Sequence, residues 1–257
     1  MMQPSKPQIR PFKVEPSLWL VDTGLYLVEE RVFVVADLHL GYEAAMRGAG
    51  ILLPDTRLKH LLARLDQTFE ALDVSAHSPL ECLVVDGDLR HGFGPLSLAE
   101  QREVGRFFHH ATPFCQRVIV VQGNHDPALD ALLRRFVNVS VVERQRRGGW
   151  LFTHGDRVPP LSAGVRSVVI GHEHPALALR DPVTGRQERF KVFLRATFQG
   201  RTLWVLPSCN TLIQGTDLSK EDVISPLLRA GVWQNGDAFV RDDRGRIYAF
   251  GRIGRLI

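Results

Sequence analysis

The chain has 257 residues, 44% of them hydrophobic and 23% charged, with a net charge of +4 and a pI near 9.2. That is enough apolar material for one large core, and so mild a basic excess permits a phosphate-bearing partner without demanding one. No stretch approaches the roughly eighteen apolar residues of a membrane span, no Pro-, Gly- or Ser-rich linker divides the chain, and Met1 to Phe12 lacks the apolar run of a signal peptide, so a single cytoplasmic domain over residues 1–257 is expected.

Leu18 to Val21 and Leu25 to Val28 read as short strands around a turn at Asp22-Thr23-Gly24. Arg31 to Ala36 is an apolar strand ending in Asp37-Leu38-His39. On an extended backbone residues two apart face one side, so a carboxylate and an imidazole reach one metal together. Leu40 to Leu53, with Gly41, Gly48 and Gly50, reads as a mobile loop. A helix is expected from about Asp55 to Leu72, where Leu58, Leu61, Leu62, Leu65, Phe69 and Leu72 fall at helical spacing and Asp55 or Thr56 stands ready to cap the start; His60 reads as a surface or packing residue.

The same device then repeats. Cys82 to Val85 runs into Asp86-Gly87-Asp88-Leu89-Arg90-His91-Gly92. A carboxylate has two oxygens, so Asp88 is able to bridge two cations, and His91 follows within reach of the same pocket. Ser97-Leu98-Ala99-Glu100 has the form of a capping box opening a helix to about His110, with His109 and His110 suited to its C-terminal dipole. Val118 to Val121 runs into Gln122-Gly123-Asn124-His125-Asp126, where the glycine lets the backbone turn and three consecutive residues offer an amide oxygen, an imidazole and a carboxylate. Ala128 to Phe136 reads as a short helix. Val137 to Val142 and Trp150 to Thr153 read as strands joined across Glu143 to Gly149, whose Arg144, Arg146 and Arg147 fit a solvated turn better than a phosphate-contact patch.

Trp150 to Thr153 leads into His154-Gly155-Asp156, and Ser167 to Ile170 into Gly171-His172-Glu173-His174-Pro175, with Glu173 left without a role. Beyond these, Pro182 to Gly185 reads as a turn, Phe190 to Phe198 and Thr202 to Leu206 as strands, and Leu212 to Ser225 as a loop. Ala238 to Val240 with Arg246 to Phe250 reads as a closing hairpin. No further chemical constellation is expected there, only strands that complete a second sheet. Strand–helix alternation indicates an α/β fold. Cys82, Cys115 and Cys209 are far apart, without Cys-x-x-Cys spacing, and read as buried reduced thiols.

Asp37, His39, Asp88, Asn124, His154, His172 and His174 form a mixed oxygen and nitrogen donor set suited to Mn, Fe, Co or Zn, too large for one tetrahedral ion and right for two divalent ions sharing a carboxylate. Asp37-x-His39, Gly87-Asp88, Gly123-Asn124-His125-Asp126, His154-Gly155 and Gly171-His172-x-His174 resemble, in order, the five motifs of the calcineurin-like metallophosphoesterases, and they span residues 32–175. The resemblance implies a two-sheet β-sandwich flanked by helices, a four-layer fold. It also implies that Asp37, His39 and His174 hold one ion, Asn124, His154 and His172 the other, and that Asp88 bridges, with Mn the first expectation. His125 would face the scissile phosphate and Asp126 would orient it.

Gly87-Asp88-Leu89-Arg90-His91 is similar to the corresponding motif of the Mre11/SbcD nucleases, which implies that His91 assists phosphodiester cleavage. Phe190 to Leu194 with Leu206-Pro207-Ser208 resembles the small single-domain phosphoesterases found beside bacterial DNA ligases and helicases, which implies functional association with such partners. The short segment between His154 and Gly171, and the lack of a following DNA-binding domain, count against processive nuclease behaviour. The expected activity is hydrolysis of phosphodiesters, nucleic acid among them and DNA repair as the setting, by in-line attack of a metal-bridging hydroxide. A phosphomonoesterase with the same site and a non-catalytic scaffold are the alternatives, and the intact ligand set opposes the second.

Overall fold

The computed structural model describes residues 9–126, 129–180 and 183–255. The readings of the N-terminal segment up to Gln8, of Ala128 as the start of a helix and of Pro182 as part of a turn lie outside the described residues.

Seven strands form the first sheet in chain order: β1 (Phe12–Glu15), β2 (Leu18–Val21), β3 (Gly24–Leu27), β4 (Val32–Val35), β5 (Leu80–Asp86), β6 (Cys115–Val121) and β7 (Val139–Val142). From β4 to β7 every pairing is parallel. The second sheet is built from β8 (Gln145–Arg147), β9 (Trp150–Phe152), β10 (Ser167–Ile170), β11 (Pro175–Arg180), β12 (Gln187–Phe198), β13 (Arg201–Val205) and β14 (Thr216–Asp217), in the order β14-β11-β12-β13-β10-β9-β8. A hairpin of β15 (Asp237–Arg241) and β16 (Ile247–Arg252) is added on β12. Here β10 pairs in parallel with both β9 and β13.

The sheets pack face to face. Leu25, Leu27, Val32, Val34 and Val84 of the first meet Phe152, Val169, Phe193, Trp204 and Phe239 of the second. The other face of the first sheet, with Phe33, Val35, Leu83, Val85 and Val118, is covered by Leu58, Leu65 and Phe69 of α2 (Arg57–Ala71) and by Val104, Phe107 and Phe108 of α3 (Leu98–Ala111). Burial on both faces explains why β4 and the Cys82 to Val85 part of β5 are continuous apolar runs rather than alternating ones. The outer face of the second sheet is covered by chain carrying Leu218, Leu227 and Leu228, which among the described residues is irregular. Among the described residues no helix is long and apolar enough to cross a membrane.

Four local expectations change. The loop over Leu40 to Leu53 contains a helix, α1 (Tyr42–Gly48); Gly41 at φ +87° precedes it and Gly50 at φ +85° follows, so these glycines punctuate a helix instead of dissolving one. Neither Asp55 nor Thr56 caps α2; Thr56 makes no side-chain cap bond, and the Glu43 carboxylate of α1 accepts the backbone N–H groups of Thr56 and Arg57 instead. The segment from Gln145 to Arg147 is strand β8, paired with β9, so the chain crosses between the sheets after Val142 and the tight turn falls at Gly148. Pro175 to Arg180 and Phe12 to Glu15 are strands that alternation did not reveal. The capping box of α3 is formed, with Ser97 Oγ accepting from the Glu100 amide and Glu100 accepting from the Ser97 amide. A last short helix, α4 (Leu129–Leu133), buries Leu129 and Leu133 on the first sheet.

Candidate dinuclear metal centre

Each expected site residue sits just past the C-terminal end of a parallel strand. Asp37 and His39 follow β4, Asp88 and His91 follow β5, Asn124, His125 and Asp126 follow β6, His154 follows β9, and His172 and His174 follow β10. Because parallel strands share one direction, their C-terminal ends collect on one edge of the sandwich, the place where open α/β sheets gather ligands.

The backbone that presents these groups is not extended. Asp37, His39, Asp88, His172 and His174 have φ of +55°, +46°, +45°, +62° and +49°, in the left-handed region that non-glycine residues occupy at a cost of about 1–3 kcal/mol each. Both side chains of each Asp-x-His or His-x-His pair reach the site, as the spacing requires, but through this twist. It is held by cross-strand bonds from the Asp37 amide to the Gly87 carbonyl and from the His39 amide to the Asp88 carbonyl. The residues between turn inward: Leu38 enters the core, and Glu173 accepts the amides of Ile224 and Ser225 at 2.9 and 2.8 Å.

The preceding glycines are required by close approach. A Cβ on Gly87 would overlap the His154 ring, one on Gly123 would overlap the amide and carboxylate of Asp88, and one on Gly171 would lie 2.6 Å from Asp37 Oδ2.

Two groups of donors share Asp88. Asp37, His39, Asp88 and His174 form one, and Asp88, His154 and His172 the other, with ligand atoms in each within 4.8 Å of one another. His174 Nε2 is 3.3 Å from Asp37 Oδ2 and 3.3 Å from His39 Nε2; His154 Nε2 is 3.3 Å from Asp88 Oδ1, 3.2 Å from His172 Nδ1 and 2.8 Å from Asn124 Oδ1. The seven residues that the sequence offers as ligands are thus brought together at one edge, Asn124 through its contact with His154. A further group joins His39 to His91 and His125 on one flank. Glu43, Asp55 and Glu103 also cluster, but Arg57, the Gly41 amide and the start of α2 already occupy Glu43 and Glu103.

Electrostatics agree with a cation pair. Burial holds the His39 imidazole down at about 2 and His172 at about 4, and it lowers His91 and His125 as well, so these rings are neutral and their nitrogens free to ligate. Burial and the neighbouring Asp37 push the Asp88 carboxyl up to about 9. A buried carboxyl that lies among the imidazoles of His39, His125 and His154, with no Lys or Arg against it among the described residues, is the setting of a bridging ligand before a metal's positive charge is counted. The donor set fits two first-row divalent ions.

Asp126 does not meet the expectation of orienting His125 through its ring. Its buried carboxylate accepts the amides of Leu89, Arg90 and Gly123 at 3.1, 3.2 and 3.0 Å, pinning the Asp88 loop to the Asn124 turn. The His125 ring is oriented by His91 instead: His125 Nδ1 donates to the His91 carbonyl, while its Nε2 lies 3.7 Å from Asp88 Oδ2.

The tail after Pro175 contributes more than strands. Ser208 Oγ donates to the Asp37 carbonyl at 2.8 Å, and the buried Lys191 ammonium, lowered to about 8 by burial, donates to the carbonyls of Ser208 and Ile213 at 2.9 and 3.0 Å. Thr216 binds the backbone of Glu173 and His174. These contacts brace both ligand pairs from behind, as outer partners do in metal sites. Their signal was in the sequence: Leu206-Pro207-Ser208-Cys209-Asn210 is a sixth polar tip after an apolar strand, one without the imidazoles and carboxylates of the other five.

Arg146 and Arg147 have structural partners, the first on Ser162 and the Gly148 carbonyl, the second near Glu81. Arg144 lines a cavity of about 540 Å³ that reaches Asn124 and is also walled by Gln122, Glu143, Arg157 and Pro159. All three cysteines are free and buried, and burial raises their thiols to about 11 or 12.

The calcineurin-like phosphoesterase model matches residues 30–163, just over half of the chain. No curated protein matches at a comparable level. Among solved structures, the Pseudomonas putida nuclease MPE is similar at 22% identity and TM-score 0.58, over 94% of this chain and 100% of that one, a likeness of fold. The protein of unknown function AQ665 from Aquifex aeolicus aligns at 17% identity over 56% of this chain and 78% of its own, with a TM-score of 0.36. From its ordered motifs, its sandwich and its matched domain, this chain belongs to the calcineurin-like phosphoesterase family of metal-dependent phosphoesterases.

Proposed function

We propose that the chain is a dinuclear phosphodiesterase acting on nucleic acid or nucleotides, with Mn first among candidate metals. The observation that carries this reading is the placement of His91 and His125 on one flank of the donor set, beside His39 but outside the seven ligands. Asp37, His39 and His174 would hold one ion, Asn124, His154 and His172 the other, with Asp88 between them. Bound there, the ions would neutralise the phosphoryl oxygens and acidify a water for in-line attack, without a covalent enzyme intermediate.

The protein's own share is orientation and proton transfer. The resting His125 ring is neutral, its Nδ1–H donating to the His91 carbonyl, so Nε2 points toward the centre as an acceptor; an anionic phosphate bound beside it would draw a proton from solvent onto Nε2, and that proton would then pass to the departing ester oxygen, an effect of about 10²–10⁴-fold. His91, its ring 4.8 Å from Tyr42 and 5.5 Å from His39 by centroid, stands where the second, esterified oxygen of a diester needs a hydrogen-bond partner. A monoester has no such oxygen. Nuclease action in DNA repair, in company with a ligase or helicase, is the physiological setting that the sequence resemblance favours.

The test compares bis-p-nitrophenyl phosphate, p-nitrophenyl phosphate, cyclic nucleotides and single-stranded DNA with Mn²⁺, in wild type and His91→Ala. The variant should retain two ions and lose about 10²-fold or more on diesters while losing far less on the monoester. Equal losses on both classes, or loss of an ion, would assign His91 a structural or ligand role and remove the preference for diesters.

A further inference from the structure

Phe93 is a large aromatic side chain left 66% exposed beside this centre. We propose that it is a stacking platform for a planar ring, a nucleobase in a natural substrate, on the departing arm of the phosphodiester; the proposal rests on the phosphodiesterase reading above.

Three observations point there. The Phe93 ring covers the His125 ring, with centroids 3.7 Å apart and planes inclined by 34°. If His125 protonates the departing oxygen, the group attached to that oxygen emerges next to Phe93. Second, the loop Gly92-Phe93-Gly94 is pinned on both sides of the phenylalanine. The Gly92 amide donates to Glu100 Oε1 at 2.9 Å, and the buried Arg90 donates to the same carboxylate at 3.1 Å and to the Gly94 carbonyl at 2.6 Å. Glu100 is itself locked in the capping box of α3. An exposed phenyl on a free loop would need no explanation, whereas two glycines that give no cover and a buried ion pair that fixes their backbone hold this one in place. Third, the ring has one face on an imidazole and the remainder toward solvent, which suits a partner of any base identity, since every base offers a π face.

A competing role is that Phe93 only shields His125 from water. Shielding acts alike on every substrate, through kcat. Stacking acts through KM, and only where the departing arm carries a ring. The experiment uses the full chain with Mn²⁺ and three probes: thymidylyl-3′,5′-thymidine and its two analogues in which one or the other base is replaced by hydrogen. Wild type should show a KM about tenfold higher or more for one abasic analogue and near-equal KM for the other. Phe93→Ala should raise KM for the intact dinucleotide by about the same factor, leave the sensitive analogue unchanged and alter kcat less than about twofold. Phe93→Trp should restore the discrimination. A fall in kcat shared by all three probes with KM preferences intact would overturn the proposal in favour of shielding. Failure of wild type to cleave any of the three while it hydrolyses p-nitrophenyl phosphate would remove the diester reading and the platform with it.

Discussion

Asp88→Asn separates what the fold favours from what the centre needs. Burial, Asp37 and Asp126 together raise the Asp88 carboxyl to about 9, although the His125 amide donates to it at 3.0 Å. In chelator-treated protein the folded state therefore keeps a proton on Asp88 that the unfolded chain releases above about pH 4. The unfolded state then binds fewer protons, so stability falls as pH rises from about 4 toward 9, by about 1.4 kcal/mol per unit and about 4 kcal/mol by pH 7. Asparagine carries no such load. Chelated Asp88→Asn is expected to be more stable than chelated wild type at pH 8 by several kcal/mol, on the order of 10 °C in Tm for a chain of this size, and to lack the decline with pH. With Mn²⁺ the order reverses in function. Wild type gains about 2.7 kcal/mol per site at a hundredfold excess over Kd, while the variant, presenting an amide N–H₂ to one of the two donor groups, loses at least one ion and its activity. Thermal unfolding across pH 5–9 with chelator or Mn²⁺, paired with elemental analysis, reads both effects. A chelated variant less stable than wild type at pH 8, or one that retains two ions and full activity, would refute the reasoning.

Gly123→Ala should fold but lose activity by about 10²-fold, because its Cβ overlaps the Asp88 amide and carboxylate; wild-type rates would show that the close approach there is dispensable. In the β2–β3 turn, at the same edge of the sheet as the end of β4, Asp22 is held by Arg241 at 2.8 Å and by Arg64 at 3.0 Å, and although burial alone would raise its carboxyl, the two guanidinium groups lower it overall. Asp22→Asn should therefore cost about 3–5 kcal/mol near pH 7, with the gap closing as pH falls below the ordinary carboxylate range, and a gap that persists in acid would contradict the linkage. Arg144→Ser should weaken single-stranded DNA binding and reduce the salt slope by about 0.7, while Arg146→Ser, whose guanidinium is engaged within the protein, should leave the slope unchanged; matching slopes for the two variants would return Arg144 to a solvated turn.

The five polar tips that form the candidate site were legible in the sequence because each is local: an apolar run, a glycine or a short polar spacer, then groups able to donate to a metal. The capping box at Ser97 and Glu100 was legible for the same reason, since both partners lie within one helical turn. Parallel strands then place any residue that follows them at one edge, so seven donors scattered over Asp37 to His174 meet without further instruction. What the sequence could not disclose depends on partners distant along the chain. The left-handed backbone at Asp37 and His39 is imposed by carbonyls of Gly87 and Asp88, and Asp126 is drawn from His125 to the amides of Leu89 and Arg90 because that buried loop has donors to satisfy. Glu43 replaced the local caps of α2 since a carboxylate from α1 lies nearer those amides than any side chain in sequence. Ser208 and Lys191 became supports of Asp37 only when β12 and β13 were folded beneath it. Local pattern sets which groups can do chemistry, and the hydrogen-bond demands of a closed core decide how each is held.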